Sequence, residues 1–266
     1  MTPHPIPKYL SKPSLYFLFF ILVFTLLAPL PFAIISPGPV TDLLSKGVKI
    51  TGEAKPVMTE QQIKSGKLFS LSVYVTNPES RPPGILLLGA WLRGDSLVLP
   101  SEVVYEQGET TKVADAKAKK DMKNSEERAA IAAANFLKNA NPNEALNWRP
   151  SDISFVMKRV GGPSAGLAFS LALIAKIREP ALIAGRKIAV TGTISESGKV
   201  GAIGGIDQKL IAASNAGARI AVIPKSNCRD ITVDTKELQI IAVTNLSDAF
   251  HGLISPEFAK AMSCFA

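Results

Sequence analysis

Histidine and cysteine are scarce in this chain of 266 residues, which contains two of each. Two cysteines exclude a small domain held together by several disulfides, and they exclude a zinc site with four cysteine ligands. Two histidines argue against a metal centre or a catalytic centre that is built from several histidines. We therefore predict neither a bound metal nor a cofactor.

Charged residues are also few, at 20% of the chain, while hydrophobic residues make up 47%. This balance excludes a disordered chain and a coiled coil. Only one stretch is apolar enough to cross a bilayer, which excludes a protein with several membrane spans. The length is sufficient for one large domain or two modest ones, each with a hydrophobic core.

The chain carries 30 basic and 22 acidic residues, which gives a net charge of +8. A basic excess is typical of nucleic-acid-binding proteins, but these charges are scattered and no nucleic-acid-binding motif is present. The densest basic cluster, Lys117–Lys123, also contains Asp121. A solvated helix or loop near anionic lipid head groups explains this cluster equally well. We therefore predict no nucleic-acid partner.

The apolar stretch is Leu15–Ile35, whose 21 residues include no charge. A helix needs about 20 apolar residues to cross the hydrocarbon core of a bilayer, and prolines such as Pro29 and Pro31 are tolerated there. A cleaved signal peptide is the alternative, but its apolar part is usually about 7–15 residues long and ends near an A-x-A-like site. We predict an uncleaved transmembrane anchor over residues 15–35.

Basic residues flank this stretch on one side only. Lys8 and Lys12 precede it with no acidic residue among the first 14, whereas residues 36–44 carry only Asp42. Because basic flanks stay in the cytoplasm, residues 1–14 are expected to be cytoplasmic and the rest of the chain to lie outside. The expected location is the cell membrane, with a single span and an extracytoplasmic domain.

Beyond the anchor, the apolar patterns predict a linker over residues 36–46 and one domain over residues 47–266. Alternating or β-branched runs predict strands, and longer runs bounded by capping residues predict helices, the first of them capped by Asn124. Strands and helices interleave, which predicts a mixed α/β fold (an α+β mixed sheet) with strands in both directions. The expected strands are 48–51, 68–76, 153–157, 187–194, 200–203 and 219–223. The expected helices are 125–137, 164–177 and 206–216. Residues 84–92 fit either a short buried helix or a strand.

Ser164 follows Gly161-Gly162-Pro163 and opens a run of small and apolar residues. A serine at the start of a buried helix is well placed for nucleophilic work, because free backbone N–H groups and the positive helix end would stabilise an oxyanion. Gly162, Pro163 and Ala165 form the backbone around this oxyanion position. The alternative is a helix start with small residues for close packing.

Lys209 is the candidate base for this serine. It follows Gly204-Gly205 near the start of an expected helix, between Ile206 and Leu210. Partial burial there would lower the pKa of the lysine and make its neutral amine accessible, as a serine–lysine pair requires. The alternative is an ordinary surface lysine.

Several short motifs match one family in their order along the chain. They are Gly162–Gly166, Val190–Ile194, Gly204–Lys209, Ala216-Gly217 and Ile223-Pro224. With them the sequence resembles the proteolytic domain of Lon proteases. It looks closest to the membrane-anchored, ATPase-free branch, whose members usually carry a PDZ domain. The resemblance extends over nearly the whole chain but is dense only from Gly161 to Cys228.

The resemblance implies a catalytic pair in which Ser164 is the nucleophile and Lys209 the general base. It also implies that the hydroxyl of Thr191 helps to orient the lysine. The fold it implies is the compact α/β domain of Lon peptidases. It further implies protein or peptide substrates and an assembly of several copies.

The sequence departs from the family at two places. Gly161 stands where Lon enzymes have an acidic residue, and only about 15 residues separate Leu137 from Ile153, where the Lon-like relatives hold a PDZ domain. A folded domain does not fit in that space, so the PDZ domain is expected to be missing. A P-loop motif is also absent from the sequence, so the activity is expected to be independent of ATP.

Two other interpretations stay open. Gly162-x-Ser164-x-Gly166 fits the nucleophile elbow of α/β-hydrolases, with His251 following several aspartates in the required order, which would make the protein an esterase. Against it, the sequence has no HGGG-type oxyanion loop. The third interpretation is an inactive, membrane-anchored scaffold.

The two cysteines, Cys228 and Cys264, have a separate significance. In an exported domain an oxidising compartment favours a single disulfide between them, which would tie the C-terminal region to the loop after Ile223-Pro224. Two free thiols are the alternative.

Overall fold

The computed structural model describes residues 11–51, 56–143, 146, 148–156 and 161–264. Its helices are α1 (Lys12–Leu27), α2 (Glu60–Ser65), α3 (Gly84–Arg93), α4 (Ser101–Val104), α5 (Thr111–Ala140), α6 (Gly166–Ile177), α7 (Ile206–Asn215), α8 (Leu246–Ile254) and α9 (Pro256–Ala261). Its strands are β1 (Phe32–Asp42), β2 (Val48–Ile50), β3 (Lys67–Val75), β4 (Leu97–Pro100), β5 (Ile153–Phe155), β6 (Lys187–Val190), β7 (Thr193–Ile194), β8 (Val200–Gly201), β9 (Ile220–Pro224) and β10 (Gln239–Val243).

The main sheet has the strand order β10-β9-β6-β3-β1-β4. β3, β6, β9 and β10 run parallel to one another, whereas β1 is antiparallel to both β3 and β4. Two small antiparallel pairs, β2 with β5 and β7 with β8, lie beside it. The predicted mixed α/β fold with strands in both directions is confirmed.

Helices cover both faces of the parallel half of this sheet. On one face Ile188, Val190 and Val222 pack in a cluster with α6, and on the other Ala189 and Ala221 pack with α7. Strands that are buried on both faces are continuously apolar, which explains why β6 and β9 show no alternation in the sequence.

α6 is the central helix of the core, and every residue from Gly166 to Lys176 is buried. It packs against an alanine-rich face of α5 that includes Ala129 and Ala133. Small residues on both helices let the backbones approach closely, so that Ser170 Oγ donates to Ala129 O at 3.0 Å. This packing supports the loop that precedes α6.

α5 is much longer than predicted. The expected start at Ser125 with Asn124 as its cap was wrong, because the helix begins at Thr111 and Thr110 Oγ1 accepts from Val113 N at 3.4 Å. The added turns carry many lysines and alanines, which favour helix without an apolar stripe. A search for apolar periodicity therefore missed them.

The expected strand 187–194 is divided at Thr191 and Gly192. Gly192 N donates to Ser164 O at 2.8 Å, and Gly192 O accepts from Leu167 N at 3.0 Å. Thr191 N still donates to Val222 O on β9 at 3.1 Å, so the chain leaves the sheet at Gly192 to bond the segment that leads into α6.

The helix predicted over residues 15–35 differs from the structure at its C-terminal end. α1 ends at Leu27, Ala28 is extended, and the chain then enters β1 at Phe32. Pro29 and Pro31 have no N–H for helical hydrogen bonds, which explains the break. Among the described residues, no helix is both long and apolar enough to cross a membrane. The linker expected over residues 36–46 lies largely in β1.

Some predictions concern residues outside the described ranges. They include Lys8 and most of residues 1–14, Met157 at the end of the expected strand 153–157, and part of the loop expected over residues 139–150. Within the described part, β5 covers Ile153–Phe155.

Candidate active site

The loop that carries Ser164 turns at Gly162. Gly162 has φ +88°, a left-handed conformation that favours glycine, and its N–H donates to Ala118 O on α5 at 2.9 Å. α6 begins at Gly166, so Ser164 lies two residues before the helix and not at its first position as predicted. Its side chain is half-buried.

Three hydrogen bonds hold the backbone of this loop. The carbonyl of Ser164 accepts from Gly192 N at 2.8 Å and from Thr191 Oγ1 at 3.3 Å. The neighbouring carbonyl of Pro163 accepts from Ser125 Oγ at 3.0 Å. The position of Ser164 is therefore fixed by α5 on one side and by the residues after β6 on the other.

Two backbone amides of this loop have no acceptor within the part of the chain that the structure describes. They are the N–H groups of Ser164 and Ala165. Of the other predicted oxyanion residues, Gly162 uses its N–H on Ala118 and Pro163 has none. The amides available for a developing oxyanion are therefore those of Ser164 and Ala165.

Lys209 is on the first turns of α7 and is only 3% exposed. Burial disfavours its charged form and lowers its pKa from the ordinary 10.5 to about 8. The interpretation as an ordinary surface lysine is wrong. Neutral amine is therefore far more abundant here near neutral pH than on a surface lysine.

The start of α7 is positioned by Asn227, which lies in the short 3-10 helix Lys225–Asp230 after β9. Its buried amide accepts from Ile203 N at 3.0 Å and donates to Ile203 O at 2.9 Å and to Asp230 Oδ2 at 2.9 Å. Asn227 was not among the site residues predicted from the sequence. A buried asparagine just after an apolar strand is a signal that could have indicated one, because such an amide needs several partners.

Ser164 and Lys209 line one cavity of about 100 Å³. Its other walls come from Pro39 on β1 and from Ser72, Val73 and Tyr74 on β3, together with Gly161. The register of β1 against β3 shifts between Pro37 and Val40, and Ser72 Oγ donates to Pro39 O at 2.7 Å across this bulge.

The structure thus brings the predicted nucleophile and base into one cavity. No hydrogen bond between Ser164 Oγ and Lys209 Nζ is present among the described contacts. Catalytic hydrogen bonds are often long until the substrate is bound. Thr191, expected to orient the lysine, bonds to the carbonyl of Ser164 through its hydroxyl.

His251 lies elsewhere. Its Nδ1 is 2.8 Å from Ser247 O within α8, and its ring contacts Phe250 and Phe258. It lines a separate cavity of about 660 Å³ between α5 and α8, which does not include Ser164. The structure therefore does not bring together the histidine and serine that an α/β-hydrolase triad requires.

Cys228 and Cys264 form a disulfide, with their Cα atoms 5.4 Å apart. The bond joins the 3-10 helix that contains Asn227 to the segment after α9. It therefore ties down the element that positions the loop before α7.

The site thus combines a half-buried serine with a buried lysine of lowered pKa in one cavity, two features that a serine hydrolase with a lysine base requires. The family model described as Lon protease (S16) C-terminal proteolytic domain matches residues 90–255, more than half of the chain. The chain belongs to this family of proteolytic domains. Membership supports a serine-type peptidase.

Curated relatives agree with this assignment. A Lon protease of Mycoplasma pneumoniae is 29% identical over 218 residues, covering 77% of this chain and 26% of the relative. A Lon protease of Aster yellows witches'-broom phytoplasma is 31% identical over 164 residues, covering 58% of this chain and 20% of the relative. A Lon protease of Rickettsia typhi is 32% identical over 147 residues, covering 51% of this chain and 18% of the relative. The chain thus spans about a quarter or less of the length of these relatives.

Proposed function

We propose that this chain is an endopeptidase that hydrolyses peptide bonds of proteins with Ser164 as nucleophile and Lys209 as general base. The observation that carries the proposal is the cavity that Ser164 shares with the buried amine of Lys209. The lowered pKa of Lys209 and the free amides of Ser164 and Ala165 supply the two other features that acyl transfer requires.

The reaction follows from these groups. Neutral Lys209 takes the proton of Ser164 Oγ as the oxygen attacks the carbonyl carbon of the scissile bond. The resulting oxyanion accepts hydrogen bonds from the N–H groups of Ser164 and Ala165. Protonated Lys209 then gives its proton to the leaving amine, and a water activated by neutral Lys209 hydrolyses the acyl-serine ester.

Thr191 is proposed to act through Ser164. Its hydroxyl and Gly192 N both donate to the carbonyl of Ser164, so they fix the direction of the neighbouring amides. This role differs from the orientation of Lys209 that the family resemblance implies.

We propose that the substrates are proteins or peptides and that cleavage is independent of ATP. No P-loop motif occurs in the sequence, so unfolding by this chain itself is not expected. Only nine residues separate Ala140 at the end of α5 from Pro150, which is shorter than a folded domain, so an inserted PDZ domain is not expected there. A homo-oligomer is proposed from family membership alone.

We propose that the apolar N-terminal region anchors the chain in the cell membrane, with the N-terminus in the cytoplasm and the peptidase domain outside. The supporting observations are the uncharged apolar part of α1 from Leu15 to Leu27, the basic residues before it, and the absence of any buried residue in α1. A disulfide between Cys228 and Cys264 agrees with an oxidising compartment.

The catalytic proposal is tested with the full chain in detergent micelles. We expect Ser164→Ala and Lys209→Ala to abolish cleavage of an unfolded protein, while His251→Ala, the matched control in a separate cavity, retains it. Activity that survives Lys209→Ala but is lost with His251→Ala would support the esterase interpretation instead. Absence of activity in the wild type on both an unfolded protein and a small ester would support the scaffold interpretation.

A further inference from the structure

α3 exposes apolar side chains where a helix at the protein surface usually has polar ones. Only Leu87 and Ala90 of this helix are buried, and the helix contacts α1, β1 and β4. The side chains on the remaining, exposed arc are all apolar, apart from Gly84 and Gly89, until Arg93 ends the helix. They are Ile85, Leu86, Leu88, Trp91 and Leu92, with exposed fractions between 44% and 69%. A surface helix of a soluble protein has charged or polar residues on this arc.

α1 adjoins this surface and is attached to it by backbone contacts. Gly84 N, at the start of α3, donates to Ala28 O just after α1, and Leu30 N donates to Pro82 O. A Cβ at Gly84 would lie 2.3 Å from Thr25 O, so the two helices are in close contact. The exposed arc of α3 and the surface of α1 therefore form one apolar area, which we call the α1/α3 surface.

The distribution of apolar side chains around α1 indicates what covers this area. Apolar residues lie on all sides of the helix, and none of them is buried. A second copy of the chain could cover one side of α1 and leave the others in water. An apolar medium that surrounds the helix, the interior of a lipid bilayer, covers all sides.

The length of α1 places α3 relative to that medium. Sixteen residues at about 1.5 Å each extend about 24 Å, which is shorter than the hydrocarbon core of about 30 Å. A short span is accommodated by local thinning of the bilayer, which brings the elements that flank the span closer to the apolar core. Because α3 is bonded to the C-terminal end of α1, it is the element that is drawn in.

We propose that α3 lies along the outer surface of the bilayer that α1 enters, with its exposed apolar side chains in the interfacial layer. Trp91, which is 69% exposed, fits this depth because tryptophan is enriched at membrane interfaces. This inference rests on the membrane anchoring proposed above. It adds a second membrane contact that fixes the orientation of the peptidase domain.

Tryptophan fluorescence with brominated phospholipids tests the inference, because the chain has two tryptophans and Trp148 is buried. The full chain is placed in phosphatidylcholine vesicles with bromines near the head groups or deep in the acyl chains. In Trp148→Phe, we expect Trp91 to lose most of its emission to the shallow bromines and less to the deep ones. In Trp91→Phe, the matched control, Trp148 is expected to keep its emission.

A third variant reports on the anchor itself. Phe20→Trp in a background without Trp91 and Trp148 places the probe in the middle of α1. Quenching of this probe by deep bromines with no quenching of Trp91 would overturn the α3 inference while the anchor stands. If neither probe is quenched, the anchoring proposal fails and the α3 inference fails with it. A blue-shifted Trp91 that is not quenched and that shifts back on dilution would show that a second copy covers α3.

A substitution within the surface adds a matched comparison. Leu92→Gln is expected to reduce the quenching of Trp91 by shallow bromines, whereas Ile254→Gln on α8, another exposed apolar position, leaves it unchanged. Equal effects of the two substitutions would contradict the proposal.

Discussion

Lys209 is a buried amine, and burial lowers its pKa. Among the described residues, no carboxylate opposes this shift, so the charged form is disfavoured without a compensating partner. Such a lysine is suited to accept a proton and unsuited to remain charged in the folded protein. Both the pH dependence of the reaction and the stability of the domain follow from this property.

The pH dependence of activity should follow the neutral form of Lys209. Because the pKa is lowered to about 8, we expect kcat/KM to rise tenfold per pH unit below 8 and to level off above it. The measurement is a pH profile of cleavage of a short, uncharged peptide by the full chain. A profile that is flat from pH 6 to pH 9 would contradict the role of Lys209 as base.

The same lysine should destabilise the fold at neutral pH. A pKa lowered from 10.5 to about 8 means that the unfolded chain binds the proton more tightly, so stability rises with pH between these values. Removing the charge with Lys209→Met is expected to abolish activity yet raise the free energy of unfolding at pH 7, by up to about 3 kcal/mol. Denaturant unfolding in micelles at pH 7 and pH 10 measures this, and the gain should shrink at pH 10.

Thr191 offers a test of positioning. Thr191→Val removes one of the two hydrogen bonds to the Ser164 carbonyl, so we expect kcat to fall about fivefold, equivalent to about 1 kcal/mol, with little change in KM. Thr191→Ser keeps the hydroxyl and is expected to restore the rate. Equal loss in both variants would indicate that packing of the side chain, and not its hydroxyl, is what matters.

At the scale of elements, the turn before α6 depends on the conformation of Gly162. A Cβ at this position would meet open space, so the left-handed backbone alone opposes substitution. Gly162→Ala is therefore expected to lower the free energy of unfolding by about 1 kcal/mol and to reduce kcat as the amides of the loop shift. Gly204→Ala is the control, because its Cβ also meets open space without a positive φ. Similar thermal unfolding of the two variants would contradict this account.

The sequence was informative where local chemistry determines the structure. The Gly162–Gly166 and Gly204–Lys209 motifs predicted which serine and lysine would meet, and the continuously apolar runs predicted β6, β9 and α6. The N-terminal half of α5 was missed because its turns are held by helix propensity and not by an apolar stripe. The end of α1 was misplaced because hydropathy alone does not distinguish Phe32–Ile35 in a sheet from the same residues in a membrane.

Other parts of the site depend on contacts between distant segments. Asn227 is 24 residues from Ile203, and Ser125 is 38 residues from Pro163, yet each pair is hydrogen-bonded. No local pattern encodes which backbone groups such side chains will satisfy. The walls contributed by β1 and β3 were likewise outside the reach of motif analysis, since strand register decides them.

At the scale of the whole molecule, the disulfide closes a long loop. Cys228 and Cys264 are 36 positions apart, and constraining a loop of this length is expected to stabilise the fold by about 4 kcal/mol. Cys228→Ser combined with Cys264→Ser should therefore lower the denaturant midpoint, and a reductant should lower it similarly in the wild type. The double variant itself should not respond to the reductant. A wild type that is also unresponsive, with two alkylatable thiols, would show that the bond is not formed.

β1 links the apolar N-terminal region to the candidate active site. The strand begins at Phe32, five residues after the last residue of α1, and reaches Pro39 in the wall of the cavity that holds Ser164 and Lys209. The seven residue-to-residue rises from Phe32 to Pro39 extend about 23 Å. If α1 and α3 are held at a bilayer as proposed, this stiff strand sets the height at which a chain can be cut. The enzyme would then select cleavage points by their reach from the membrane surface as well as by their side chains.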